Sequence, residues 1–280
     1  IIMNTDIKLV ALDLDRTTLN SESHLSEVNR QALIDAISNG VHVCIASGRA
    51  FDTLPEDIIS VPGIEYAITS NGAAIYRIAG KECLKSYLLT PSSVKTILNL
   101  TANDTVTYEA FIKGQAFAST EYIRHPEKYG ATEHSLAYVK KTRILKDDIK
   151  DFILEHCHEL DSLDIVVGNK ELKKNIMDRI RNATDEVYMT SSISQLLEIS
   201  YKDAGKKSGV KFLTEYLGLS RENVAAFGDA DNDTDMIEYA GTGIAMENAA
   251  PHLKQIADHI TLHHDKDGVA YAFRNILNIC

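Results

Sequence analysis

Two carboxylates one residue apart, Asp13-Leu14-Asp15, close a short apolar run at residues 7–13. Alternate residues on a strand share a face, so both acids can project together where the strand ends. In open parallel sheets, ligands gather beyond the carboxyl ends of the strands. Two close carboxylates repel and partly protonate unless a cation intervenes. The pair therefore suggests a bound metal, with one carboxylate as nucleophile and the other as general acid–base. An acidic strand exit with Asp15 capping a turn would use the same residues.

A second acidic group, Gly228-Asp229-Ala230-Asp231-Asn232-Asp233, follows the apolar stretch 224–227. Hard oxygen ligands of this kind suit Mg²⁺, which takes few protein carboxylates and keeps water or phosphate oxygens. The Asp229, Asp231, Asp233 spacing also matches the start of a calcium loop. That reading fails because the sixth position is Thr234, not Gly, and the twelfth is Ala240, not Glu. Asp231 or Asn232 would also serve as a helix N-cap. Two further groups bear on anions. Ser47-Gly48-Arg49 offers a hydroxyl and backbone N–H groups to phosphate oxygens, and equally suits a turn. Lys206 and Lys207 open a helix after Gly205, where a lysine would neutralise neighbouring carboxylates and hold phosphate as a point charge. A solvated lysine pair is the plainer alternative.

The elements that must position these residues follow a repeating pattern. Apolar strands at 7–13, 41–46 and 66–69 alternate with helices after Ser26 and around 51–59. That β-α-β-α-β rhythm predicts a Rossmann-like, doubly wound parallel sheet in an α/β core. A hairpin turning at Gly80 ends it. From about 90 to 190, helices (92–100, 146–156, 170–181) mix with short strands (107–111, 164–167, 186–189), the pattern of an inserted α+β domain. The first rhythm then returns: helix 208–217, strand 224–227, helix 234–239, strand 243–246, helix 251–256. Residues 1–88 and 191–280 are accordingly assigned to one core and 89–190 to the insert. Tyr108, Tyr122, Arg124 and His125 are insert side chains that could meet a substrate, although such residues more often lie in a core or at the surface.

Composition narrows the function. At 280 residues the chain is long enough for one large or two smaller domains. Its net charge of −11 opposes nonspecific nucleic-acid binding. No apolar run reaches the ~18 residues that span a bilayer. The N-terminal residues lack the succession of a secretory leader. Cys44, Cys83, Cys157 and Cys280 are widely spaced, so a reduced, cytoplasmic setting is expected, as a monomer or homodimer.

Acidic pair, hydroxyl, lysine and acidic cluster occur in that order, each near a predicted strand end or helix start. This set resembles the haloacid dehalogenase superfamily of phosphohydrolases, whose motifs are DxDx(T/V), Ser/Thr, Lys and GDxxxD or GDxxND. Ser70-Asn71-Gly72-Ala73, Met246-Glu247-Asn248-Ala249 and Asp267-Gly268-Val269-Ala270 are similar to its Cof-type branch, subclass IIB. The resemblance implies an Mg²⁺-dependent phosphatase for a small phosphorylated metabolite, with a sugar phosphate as the default. It implies Asp13 as nucleophile and Asp15 as acid–base. It further implies Mg²⁺ on the Asp13 carboxylate, the Asp15 main-chain carbonyl, Asp229 and, directly or through water, Asp233. Ser47, Lys206 and Asn232 would hold phosphoryl oxygens, and the insert would act as a substrate-selecting cap. Arg16 and Glu247 depart from the glycines usual in the family. Arg16 could point away, add a cation or crowd the site, which keeps a phosphate-binding protein with impaired catalysis as an alternative. A phosphomutase would use the same nucleophile.

Overall fold

The computed structural model describes residues 6–280, and its internal contacts divide the chain into two units. The first holds the described residues through Gly48, Leu54–Lys85 and Gly205–Cys280; the second holds Arg49–Thr53 and Ser86–Ala204.

The first unit opens with strands β1 (Leu9–Leu12), β2 (His42–Ala46), β3 (Tyr66–Thr69), β4 (Ala74–Arg77) and β5 (Glu82–Ser86). Every residue of β1 and β3 is buried, as expected of strands covered on both faces. The helix Glu27–Ser38 between β1 and β2 starts at Ser26, whose hydroxyl accepts the Asn29 N–H. It stops at Asn39-Gly40, with Gly40 at φ +84°. The helix expected over 51–59 is broken: a 3₁₀ turn, Phe51–Thr53, precedes a separate turn of α-helix, Glu56–Ile59. Pro55 lies between them and disfavours helical backbone at the residue before it.

The second unit contains β6 (Thr107–Ile112), β7 (Gln115–Ser119), β8 (Ile144–Lys146), β9 (Leu160–Val166), β10 (Val187–Thr190) and β11 (Leu196–Tyr201). They form one sheet in the order β10-β11-β9-β6-β7-β8. All its pairings are antiparallel except β7 with β8. Helices Pro91–Leu100, Ile149–Glu155 and Lys170–Ala183 supply Val94, Ile97, Ile153, Ile176 and Ile180 to its apolar core. Two differences from the sequence reading stand out. Residues 144–146 are a strand, and the following helix begins only after Asp148 caps it. The apolar 196–201 stretch, which reads as the return of the core, pairs with β9 and β10 in this second sheet. Tyr108 and Tyr122 are buried in the apolar clusters of this unit, while Arg124 and His125 are exposed.

Back in the first unit, β12 (Val224–Gly228), β13 (Thr242–Ala245) and β14 (His259–Ile260) complete an eight-stranded sheet. Its order is β14-β13-β12-β1-β2-β3-β4-β5. From β14 to β3 every pairing is parallel; β4 then runs antiparallel to β3. The chain is thus a mixed α/β protein with a parallel core sheet. Helix Lys206–Tyr216 packs on this sheet closely enough that a Cβ at Gly209 would sit 2.5 Å from Ile68 Cγ2. No helix among the described residues is long and apolar enough to cross a membrane.

Candidate active site

Strand order places four chain exits side by side. β12, β1, β2 and β3 are neighbours, and they release Asp229, Asp13, Ser47 and the Ser70–Gly72 turn at their carboxyl ends. All belong to the first unit. This is the edge at which parallel sheets collect ligands.

Asp13 follows β1 and is nearly buried, at 6% exposure. Lys206, the first residue of its helix, is fully buried. Its Nζ donates to Asp13 Oδ1 at 2.7 Å and to Asp233 Oδ1 at 2.6 Å. Burial alone would lower the lysine pKa, but Asp13 and Asp233 outweigh it and hold the ammonium charged. Asp233 Oδ2 accepts the N–H groups of Asp229 (2.9 Å) and Ala230 (3.0 Å), which folds the acidic loop around it. A Cβ at Gly228 would meet the Asp233 carboxyl carbon at 2.5 Å, so only glycine admits that turn.

One lysine does not neutralise the group. Carboxylate oxygens of Asp13, Asp229 and Asp233 lie within 4.8 Å of one another. Burial first, then the charge of Asp233, pushes Asp13 up to about 7, although Lys206 pulls it back. Burial, then Asp13 and Asp233, pushes Asp229 up to about 8. Clustered, buried, hard oxygen donors that cannot all ionise form a set suited to Mg²⁺. On this chemistry the residues fit the ion, with Asp13 and Asp229 offering oxygens and Asp233 holding the loop that carries Asp229.

The other expected site residues fall around this centre. Asp15 is exposed, and its charge adds to the upward push on Asp13. Ser47 is buried, with its N–H on Ile68 O (2.9 Å) and its carbonyl accepting the Asn71 N–H (3.0 Å). Gly48 is half-buried behind it. Asn232 is buried and donates from Nδ2 to Asn71 Oδ1 at 3.0 Å. Asp231 stays outside the cluster and pairs at the surface with His252 at 3.2 Å. Lys207 is exposed, and its backbone N–H donates to Asp235.

Three contributors were not among the expected site residues. Thr17 Oγ1 donates to Asp229 Oδ1 at 3.4 Å. Arg16 takes a left-handed backbone, φ +62°, and brings Nε to 3.5 Å from Asp229 Oδ2, while Asn248 Nδ2 donates to its carbonyl at 2.8 Å. Arg16 thus places a cation beside Asp229. Asn71 joins Ser47, Asn232 and Gly205. The run Ser70-Asn71-Gly72-Ala73 after a strand was the sequence signal for it.

Comparisons with known proteins identify the family. A family profile described as haloacid dehalogenase-like hydrolase matches residues 10–273. The chain is 32% identical over 273 residues to the 5-amino-6-(5-phospho-D-ribitylamino)uracil phosphatase YcsE of Bacillus subtilis, covering 97% of this chain and 96% of the relative. It is 31% identical to the phosphatase YwpJ of the same organism, covering 97% and 100%. Among solved structures, a haloacid dehalogenase-like hydrolase from B. subtilis superposes with a TM-score of 0.81 at 28% identity, covering 97% of this chain and all of the other. The chain belongs to the haloacid dehalogenase-like hydrolases and is a phosphatase of their Cof-type branch.

Proposed function

We propose that the enzyme is Mg²⁺-dependent and hydrolyses a small phosphate monoester, a sugar phosphate foremost, through an aspartyl-phosphate on Asp13. The observation that carries this reading is the buried Lys206 ammonium bridging Asp13 and Asp233, with Asp229 in the same oxygen cluster.

In the first half-reaction an Asp13 oxygen attacks phosphorus in line, the P–O bond to the leaving group breaks, and Asp15 gives that oxygen a proton. In the second, Asp15 takes a proton from water as the water oxygen attacks phosphorus, which frees phosphate and restores Asp13. The exposed position of Asp15 suits a group that must exchange protons with leaving group and solvent. Lys206 offsets charge on Asp13 and on phosphoryl oxygens, and Ser47, Gly48 and Asn232 orient those oxygens. Asp13, the Asp15 carbonyl, Asp229 and Asp233 would hold Mg²⁺, which supplies charge neutralisation for the transferring phosphoryl group. The inserted unit is assigned the choice of leaving group.

The compound named for the B. subtilis relative YcsE carries a phosphorylated ribityl chain, which supports a polyhydroxylated leaving group here. The test is phosphate release from sugar, ribitylamino-uracil, nucleotide and cofactor phosphates, with Mg²⁺ or EDTA. Release with Mg²⁺ from a sugar-type phosphate, absent with EDTA, is the expected result. No release from any compound by protein that still binds Mg²⁺ would overturn the reading in favour of a binding protein, and an isomerised phosphosugar would favour a mutase.

A further inference from the structure

Three consecutive residues after β3 lie in the left-handed region: Ser70 (φ +48°), Asn71 (φ +52°) and Gly72 (φ +88°). Asparagine tolerates that region better than other residues with a Cβ. At Gly72 no other residue fits, because a Cβ would fall 1.9 Å from Gly205 O. The turn directs three polar groups of the buried Asn71 to three different parts of the site. Its N–H donates to Ser47 O (3.0 Å), after β2. Its carbonyl accepts the Gly205 N–H (3.0 Å), one residue before Lys206. Its Oδ1 accepts from Asn232 Nδ2 (3.0 Å), in the acidic loop.

We infer that Asn71 is a positioning residue that sets the Asn232 amide and fixes the spacing of Ser47, Asn232 and Lys206 around the transferring phosphoryl group. The inference rests on the proposed phosphatase mechanism. The Asn71 oxygen takes one N–H of the Asn232 amide and thereby decides which end of that amide is nitrogen. The second N–H is then oriented as a donor for a phosphoryl oxygen. Ser47 and Lys206 are tied through the Asn71 main chain, so their placement survives loss of the side chain, whereas that of Asn232 does not.

N71G separates the two effects, since glycine keeps the left-handed backbone and its main-chain hydrogen bonds while removing the side chain with its accepting oxygen. In ¹⁵N-labelled protein, the Asn232 side-chain NH₂ pair, identified by its loss in N232A, should move and lose its order in N71G. With p-nitrophenyl phosphate, kcat/KM should fall about 10- to 100-fold in N71G. In the N232A background the same change should cost less than about twofold, because both act through one amide. An unmoved NH₂ pair in N71G, or a loss repeated in full in N232A, would overturn the inference. If N71G does not fold, N71D keeps an accepting oxygen and should leave the NH₂ pair ordered; an averaged pair there counts against it. The amide signal needs no turnover, so an inactive wild type would sink the phosphatase reading while leaving this test intact.

Discussion

Each of the two units holds a buried cluster of three carboxylates with one cation, and the two clusters differ. In the first unit Asp13, Asp229 and Asp233 surround Lys206 at loop positions beyond parallel strands. In the second, Glu109, Asp164 and Glu198 stand in register across β6, β9 and β11, mid-strand in an antiparallel sheet. Arg143 binds Glu109 there at 2.6 and 2.7 Å, and its guanidinium lies 5.3 Å from the Phe111 ring and 4.9 Å from the Tyr138 ring. Ser192 donates its N–H to Glu198. Burial, then Glu198 and Glu109, pushes Asp164 well above the usual carboxylate range, while Arg143 pulls it back. The first cluster instead gathers its oxygens within 4.8 Å, where a divalent ion relieves the repulsion better than a proton. Similar composition on different backbones yields a structural network in one unit and a candidate cation site in the other.

The largest expected contrast lies in turnover. D13N should lower phosphate release by at least about 10³-fold, since it removes the proposed nucleophile. E109Q and E198Q should leave release from p-nitrophenyl phosphate within about threefold, with changes confined to KM for larger substrates. Equal losses in both sets would break the comparison.

Stability should separate the clusters next. R143M strands a buried carboxylate and should cost about 3–5 kcal/mol in urea unfolding, with no recovery on adding Mg²⁺. K206M should also destabilise, but Mg²⁺ should recover part of the loss because a second cation can occupy that cluster. Recovery of R143M by Mg²⁺, or none for K206M, would contradict the assignment.

The third contrast is pH. Asp13 and Asp229 have folded-state values raised from 3.8 to about 7 and about 8. The folded protein therefore holds more protons than the unfolded chain between those limits, and its stability falls as pH rises from about 4 towards 8. Each group approaches a slope of about 1.4 kcal/mol per pH unit within its window. Thermal melts in EDTA should show this decline, D13N should flatten it, and Mg²⁺ should flatten it in the wild type. Identical slopes in EDTA and Mg²⁺ would place the titrating groups elsewhere.

The smallest effect belongs to Arg16, whose side chain is 59% exposed beside Asp229. Removing a partly solvated cation of this kind in R16G should tighten Mg²⁺ binding by only about 2- to 5-fold, read by calorimetry at low salt. Weaker binding would mean that Arg16 supports the ion rather than competing with it.

The legible and illegible parts of the chain follow the same division. Strands β1, β2, β3 and β12 are short apolar runs that end in polar residues, and parallel strands covered on both faces leave just that mark. The acidic loop, Lys206 and Ser47 could be found because each follows such a run or opens a helix. Local pattern does not encode partners: 196–201 is as apolar as a core strand, and only the long-range ladder with β9 assigns it to the second sheet. Gln115–Ser119 and the helix Glu133–Thr142 went unread, since a five-residue strand of small side chains and a lysine-rich half-buried helix have weak periodicity. Asn71 was visible as part of a motif, but its role required seeing three distant partners meet on one residue.

The chain re-enters the first unit at Gly205, whose N–H is anchored to the Asn71 carbonyl of that same unit. Lys206 follows immediately. On the proposed mechanism, the phosphate-binding ammonium thus hangs from a backbone anchor within its own unit, one that a change in the sequence of the insert does not itself remove. A lineage built this way can try new substrates without reinventing its chemistry.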